Sequence, residues 1–237
     1  MKLSIIIPAY NEEKTISEIL KRVDDVDLGE IKKEVIVVDD GSKDNTLRLA
    51  QEFAKGKRTV KVIAHKKNKG KGSAVVTGMK EASGDIFIIQ DADLEYNPQD
   101  IPRLITPIAK KKYRVVYGSR LRTKPVLFGK NRTPLLIHFF GNKFLSFVTT
   151  ALYGARVSDM ETCYKAFEKN VLNGVRLKSR SFNFEPEITA KILKKRIKIF
   201  EIDIKTKPRG WEEGKKLNTV RDGSIALWTL LKYRFVN

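Results

Sequence analysis

Cysteine is nearly absent from this chain of 237 residues. Cys163 stands alone, so no internal disulfide braces the fold. Histidine is almost as scarce: His65 and His138 leave too few soft ligands for a structural zinc site. Any metal is therefore expected to be a hard cation, Mg²⁺ or Mn²⁺, held by oxygen. Long apolar runs are missing too. The uncharged stretches from Thr133 to Asn142 and from Phe144 to Ala155 are split by Lys143, and neither reaches the ~20 residues that span a bilayer. Met1 leads straight into LSIIIP, a short strand rather than the longer apolar core of a secretion leader. These absences point to a soluble or peripheral protein. Acidic residues are outnumbered, 28 against 47 Lys and Arg, for a formal charge of +19. Nucleic acid, an anionic membrane and a phosphorylated substrate all suit that excess, although a generic lysine-rich surface accounts for much of it.

With 41% hydrophobic residues the chain can bury a real core. Its first half alternates strand and helix. Apolar, β-branched runs at Lys2–Ile7, Val35–Val38, Val60–Ala64, Ile86–Ile89 and Arg114–Tyr117 read as strands. Between them, helices are expected over Glu12–Val26 with Asn11 as N-cap, from DDGSKDNT to about Ala54, over Gly72–Ala82 and over Pro98–Lys110. That order predicts a mainly parallel sheet covered by helices on both faces. After Gly118 the pattern changes. An interrupted apolar segment over 133–153, a helix over Ser181–Lys195, a strand over Ile197–Ile204 and a basic, Trp-bearing tail complete the chain. No internal repeat or linker stands out, so one domain is expected over 1–237. The change after Gly118 divides it into two halves, 1–118 and 119–237.

The chemistry collects at the ends of the early strands. IFIIQDADLEY places Asp91 and Asp93 where an apolar strand ends, with Gln90 and Glu95 nearby. Two carboxylates at such a position suit a divalent cation that keeps sites open for substrate phosphates. A solvated turn is the plainer alternative. PAYNEE, residues 8–13, turns out of the first strand, where Pro8 and Tyr10 could wall a nucleotide pocket. In DDGSKDNT, residues 39–46, Asp39 or Asp40 could accept hydrogen bonds from a base or ribose, and Asp44 could cap the next helix. NKGKGSA, residues 68–74, lets backbone approach a ligand, with Lys71 facing phosphate. It is neither a Walker A loop, since Gly72 follows Lys71, nor a dinucleotide fingerprint, since Val75 stands where a third glycine is required. All these turns should open on one edge of the sheet, as a nucleotide-diphosphate site with a bound cation would need.

IIIPAYNEE, VIVVDDGSKDNT, NKGKGSAVVTG and IIQDADLEY resemble family 2 glycosyltransferases of the GT-A fold. VVYGSRL, DMETCYKAF, FNFEPEITAKIL and KPRGWEEGKKLNTVRDGSIAL are similar to the polyprenyl-phosphate sugar transferases among them, including dolichyl-phosphate mannose and glucose synthases. The resemblance covers nearly the whole chain. It implies that Asp91 and Asp93 hold the cation against a sugar-nucleotide diphosphate, and that Pro8, Tyr10, Glu12, Asp40 and Lys71 line the nucleotide. It also implies that Arg120 and Arg209 meet phosphates, with Arg132 and Lys215 at the acceptor phosphate and Asp93, Arg120 and Arg209 carrying catalysis. Glu185 and Glu187 match the family's FEPE element without an assigned step, and Glu95 stands where mannose synthases often carry glutamine.

The Gln-x-x-Arg-Trp element of processive synthases is absent, so a single transfer is expected. The expected reaction moves one hexose, from UDP-glucose or GDP-mannose, onto a polyprenyl or dolichyl monophosphate with inversion. The enzyme would sit peripherally on the cytoplasmic face of an anionic membrane and use no nucleic acid. Segment 133–153 and the tail ALWTLLKYRF, with Trp228, Leu231 and Phe235 beside Lys232 and Arg234, are candidate amphipathic membrane helices; packing as core helices is the alternative. Relatives often carry transmembrane helices after the catalytic domain, and this sequence ends without them, so it is read as a short or shortened form. Cys163 is expected to be a small buried filler. A soluble-acceptor transferase, a nucleic-acid-binding protein and a dinucleotide oxidoreductase remain the competing readings.

Overall fold

The computed structural model describes residues 1–121, 136–181, 183–207 and 219–236. Seven strands, β1 (Lys2–Ala9), β2 (Lys32–Asp39), β3 (Val60–Ala64), β4 (Ile86–Ile89), β5 (Val115–Ser119), β6 (Lys165–Glu168) and β7 (Ile199–Asp203), join in one sheet. Their order is β3-β2-β1-β4-β6-β5-β7. Helices α1 (Ile16–Asp24), α2 (Thr46–Ala54), α3 (Lys71–Glu81) and α4 (Ile101–Ala109) separate the first five strands. Helices α5 (Leu136–Tyr153), α6 (Phe184–Lys194) and α7 (Thr219–Phe235) belong to the second half.

Strands β1 to β4 run parallel, as the alternation of strand and helix predicts. From Leu3 to Ala9, and throughout β4 and β5, every residue is buried, so both faces of the sheet are covered. Nothing in the sequence pattern predicts β6. It runs antiparallel to both β4 and β5 and fills the gap between them. Since β5 pairs with β6 and β7, the first and second halves of the chain share one sheet.

The first helix begins later than its apolar spacing suggests. Asn11 is not its N-cap; it sits in the left-handed region at φ 53°, and Thr15 precedes α1. Asparagine tolerates that conformation. Its side chain instead accepts from the backbone of Lys43 at 2.9 Å, while its own N–H donates to Ser42 Oγ at 2.9 Å. Asp44 supports the start of α2 by accepting from Thr46 N at 3.0 Å, and also accepts from Glu13 N at 3.1 Å. The loops after β1 and β2 are therefore laced into one surface.

Helices α5 and α7 each bury part of their surface in the core and leave aromatic side chains exposed. Leu145 and Thr149 of α5, and Ala226, Leu230 and Tyr233 of α7, are buried, and Tyr153 Oη donates to the carbonyl of Leu230 at 2.7 Å. On the outer side Phe140, Phe144 and Phe147 of α5 are 59%, 54% and 70% exposed, and Trp228 and Phe235 of α7 are 66% and 83% exposed. No described helix is long and apolar enough to cross a membrane.

At the opposite edge of the sheet, Glu34 of β2 binds Lys2, Ser4, Ser83 and the amide of Gly84. Burial alone would raise its pKa, but these donors bring it down to about 2. Because the folded value lies below the unfolded 4.5, the tie stabilises fully above that pH and fades as pH falls towards about 2. Glu34→Gln is expected to cost about 2 kcal/mol at pH 7 and almost nothing at pH 2. Urea midpoints of both proteins at the two pH values test this, and a difference independent of pH contradicts it.

Candidate active site

The parallel strands end on one edge, and the sheet reverses its order of connection between β1 and β4. A crevice at such a switch point is where open α/β sheets bind ligands. Asp91 and Asp93 follow β4 directly there. Leu94, with φ 63°, bends the loop through a conformation that costs a non-glycine residue about 1 kcal/mol. Asp93 Oδ1 accepts from Glu95 N at 3.1 Å, which steadies the turn. Gln90, by contrast, does not join the carboxylates. Its side chain is buried, accepting from Tyr164 Oη at 2.6 Å and donating to the carbonyl of Asp91 at 3.0 Å.

Lys71, at the start of α3, reaches into the same place. Its Nζ lies 2.9 Å from Asp91 Oδ1 and 2.9 Å from Glu185 Oε1. Burial alone would lower the pKa of this ammonium; the charge of Asp91, with that of Glu185, overcomes it and holds the value well above the usual range. The loop before α3 is tightly specified. Gly70 has φ 92°, and a Cβ there would meet Arg180 O at 2.2 Å.

Asp40 organises this loop. It accepts from the amides of Lys69 at 3.0 Å and Gly70 at 2.7 Å, and bonds His65 Nδ1 at 2.7 Å. The other ring nitrogen of His65 meets Thr77 Oγ1 at 3.0 Å. In this dipeptide the oxygen without a partner is Asp39 Oδ1, which is buried, while Asp39 Oδ2 accepts from Ser42 N at 3.1 Å. Pro8 lies within β1 and Tyr10 just beyond it. Glu12 is buried, and its amide donates to Thr46 Oγ1 at 2.7 Å.

Because β6 is antiparallel, the segment leading into it lands on the same edge as Asp91. Arg120, just after β5, grips Asp159 in a two-pronged pair, Nε to Oδ2 at 2.7 Å and Nη2 to Oδ1 at 2.8 Å. Burial alone would raise the Asp159 carboxyl, but Arg120 holds it below the usual range. Cys163 lies beside Asp91 and Lys71, and burial, then the Asp91 charge, pushes its thiol well up. It is a small buried residue, as expected, and it lies at the site. The two FEPE glutamates part company. Glu187 binds the amides of Lys178 at 2.9 Å and Ser179 at 2.6 Å and pairs with Lys191 at 2.6 Å, fastening the loop before α6. Glu185 faces Lys71.

Arg132, Arg209 and Lys215 lie outside the described residues. Lys207, two positions before Arg209, donates its amide to Glu95 O at 3.0 Å, and Thr206 bridges to Tyr96. The last described residues of this segment therefore lie beside the Asp93 loop.

Among the described residues no group of three or more His, Cys, Asp or Glu forms a ready-made metal cage. Two carboxylates on a turn nevertheless fit Mg²⁺ or Mn²⁺, which takes its other positions from water and phosphate. Both carboxylates offer hard oxygen donors, and Asp91 shares its charge with Lys71.

Comparison with known proteins agrees with this geometry. The model of the family described as Glycosyl transferase family 2 matches residues 4–175. The chain is 39% identical over 193 residues to the dolichol-phosphate mannosyltransferase of Pyrococcus furiosus, covering 81% of this chain and 53% of that protein. It therefore spans about half the length of that relative. To the UDP-N-acetylglucosamine–dolichyl-phosphate N-acetylglucosaminyltransferase of Methanococcus voltae it is 36% identical over 219 residues, covering 85% of this chain and 84% of the relative. To the undecaprenyl-phosphate 4-deoxy-4-formamido-L-arabinose transferase of Proteus mirabilis it is 31% identical over 177 residues, covering 73% and 51%. Among solved structures, glucosyl-3-phosphoglycerate synthase of Mycobacterium tuberculosis with phosphoglyceric acid aligns at a TM-score of 0.74 and 19% identity, covering 100% of this chain and 81% of that one. The same enzyme with Mn²⁺, UDP and glucosyl-3-phosphoglycerate aligns at 0.72. At that identity the likeness shows the fold, a GT-A arrangement.

Proposed function

Because the chain belongs to glycosyl transferase family 2, we propose that it moves one hexose from a nucleoside diphosphate onto a polyprenyl or dolichyl monophosphate. The observation that carries this reading is the joining of Asp91, Lys71 and Glu185 beside Asp93 at the switch point. The names of the relatives supply the lipid phosphate. The outward aromatic faces of α5 and α7 support a membrane-surface setting, since aromatic side chains beside basic ones suit the headgroup layer.

Asp91 and Asp93 would hold Mg²⁺ or Mn²⁺, which when bound offsets the charge of the leaving diphosphate. Pro8, Tyr10 and Glu12 wall the nucleoside. The hydrogen-bond acceptor for its base or ribose is Asp39 rather than Asp40, because Asp40 already serves His65 and the loop before α3. Lys71 lies where it can exchange a carboxylate for a donor phosphate. Arg120, Arg132 and Lys215 are assigned to the acceptor phosphate and Arg209 to the phosphate clamp. A guanidinium can grip two phosphate oxygens at once. A phosphate monoester has a second pKa near ~6, so the acceptor is largely dianionic at pH 7 and needs no general base. Attack is direct and in line, with inversion at the anomeric carbon and no covalent intermediate on the protein.

The test supplies radiolabelled UDP-glucose, GDP-mannose and UDP-N-acetylglucosamine separately, with a polyprenyl phosphate in detergent, and Mn²⁺ or EDTA. Label entering the organic phase only with metal is the expected result, and the active donor names the sugar. Metal-dependent nucleotide binding with no lipid labelling would move the acceptor to a water-soluble molecule. Arg209→Ala is expected to lower turnover about 100-fold while shifting the melting temperature by less than about 2 °C. Undiminished turnover would remove it from the clamp.

A further inference from the structure

The carboxylate that grips Arg120 is itself held from a distant strand. Glu201, in the middle of β7, accepts from Ser158 N at 2.8 Å through Oε1 and at 3.0 Å through Oε2. Its Oε1 also accepts from Asp159 N at 3.2 Å. Two successive amides thus close on one side chain. Glu201 stands in register with Tyr117 of β5, and the hydroxyls of Ser119, at the end of that strand, and Ser158 meet at 2.7 Å. Residues 158 and 159 are therefore tied to both β5 and β7.

That anchoring decides where Arg120 points. Asp159 is fully buried, and its Oδ2 accepts the backbone N–H of Arg120 at 2.9 Å as well as the side-chain Nε at 2.7 Å. With Oδ1 on Nη2 at 2.8 Å, the guanidinium is folded back towards its own backbone. It lies over Tyr96, 5.9 Å from the ring centre, three residues beyond Asp93. A guanidinium carries five N–H donors. Asp159 takes two of them from the Nε edge, which leaves three at the Nη end, enough to meet two phosphate oxygens at once. The Arg120 side chain is 23% exposed, so that end is not sealed off. Holding so long a side chain in place beforehand removes the entropy it would otherwise lose on binding.

We propose that Glu201 and Asp159 are positioning residues for sugar transfer: Glu201 sets Asp159, and Asp159 presents the outer end of Arg120 to the acceptor's phosphate. The inference rests on the assignment of Arg120 to that phosphate and deepens it. Neither carboxylate is assigned a contact with substrate. The sheet itself does not require Glu201, because β7 is already joined to β5 by five registered pairs, from Val115 opposite Ile199 to Ser119 opposite Asp203. Its carboxylate is turned to the segment that aims Arg120. One oxygen, Oε1, reaches both amides. Glutamine keeps such an oxygen and preserves the device, whereas methionine has a similar length and only a weak acceptor.

The experiment varies a polyprenyl phosphate in detergent with Mn²⁺ and whichever of UDP-glucose, GDP-mannose and UDP-N-acetylglucosamine is active, and measures donor affinity separately by calorimetry. The proteins are wild type, Glu201→Met, Glu201→Gln, Arg120→Gln and the double variant Glu201→Met with Arg120→Gln, each checked by thermal melting. Asp159 is left intact because its loss would strand a buried cation, and the amide of Arg120→Gln still donates to it. Glu201→Met is expected to lower kcat/KM for the acceptor about thirtyfold, with donor affinity within about twofold of wild type. Arg120→Gln is expected to lower it about a hundredfold, and adding Glu201→Met to lower it no more than about twofold further. Glu201→Gln should stay within about fivefold of wild type. If methionine unfolds the protein, Glu201→Thr, a strand former too short to reach the amides, takes its place in the cycle. Equal losses from Glu201→Met in both backgrounds, or no loss at all, overturn the relay while leaving Arg120 at the phosphate. Unchanged acceptor kinetics in Arg120→Gln overturn the assignment of Arg120 and the relay with it. Absence of transfer to lipid by wild type overturns the proposed function as well.

Discussion

Asp93→Ala is expected to reduce sugar transfer about a thousandfold, with the fold unchanged. Asp93 lies on a partly exposed turn after β4, and its side chain accepts one backbone bond from Glu95 N at 3.1 Å. Losing one such bond costs about 1 kcal/mol or less, a small part of the stability of a domain this size. Its proposed task is different in kind. Charge on the leaving diphosphate is greatest in the transition state, so a group that helps neutralise it acts mainly on the barrier, and a factor of a thousand corresponds to about 4 kcal/mol. Turnover with a saturating donor, alongside thermal melting, separates the two effects. Full activity of Asp93→Ala in Mn²⁺ would show that the carboxylate pair is not the cation site.

Lys71→Met is expected to damage both stability and activity. Its ammonium lies between Asp91 and Glu185, and the Glu185 side chain is only 6% exposed. Removing the cation leaves two carboxylates facing one another in a crevice, and breaking a buried pair from one side costs about 3 kcal/mol. For a chain of this length that lowers the melting temperature by about 6–12 °C. Adding Glu185→Gln to Lys71→Met removes one stranded charge and should restore part of the loss, a non-additivity that a double-mutant cycle reads directly. A Lys71→Met protein as stable as wild type would mean that the ammonium contributes no net energy to the fold.

The first four strands were legible because each is an apolar, β-branched run that ends at a cluster of turn-forming residues. Local chemistry and the global sheet agree there. β6 was not legible. KAFE is four residues long with no clear alternation, and its place is fixed by partners about eighty residues before it on β4 and about fifty before it on β5. Without β6, the segment holding Glu161, Thr162 and Cys163 had no address, although its motif was conspicuous. The carboxylates of the site were legible as residue types but not as directions. Asp39 and Asp40 are adjacent, and only the fold shows that Asp40 turns to His65 and the amides of the next loop. Glu185 and Glu187 stand about 200° apart around a helix, so one meets the site and the other braces a loop. For α5 and α7 the apolar residues did not sort into faces in the sequence, and only the fold shows that each helix has one buried face and one apolar face outward.

The antiparallel insertion of β6 also has a consequence for synthesis of the chain. When β5 has left the ribosome, at residue 119, neither of its neighbours in the sheet has yet been made. Until residues 165–168 follow, β4 offers an open edge and β5 has no place to pair. Open edges of this kind invite association between unfinished chains. The strand that closes the edge also carries its leading residues to the end of β4 where Asp91 lies. Insertion of β6 thus covers the edge of β4 and gives β5 its first partner in a single step.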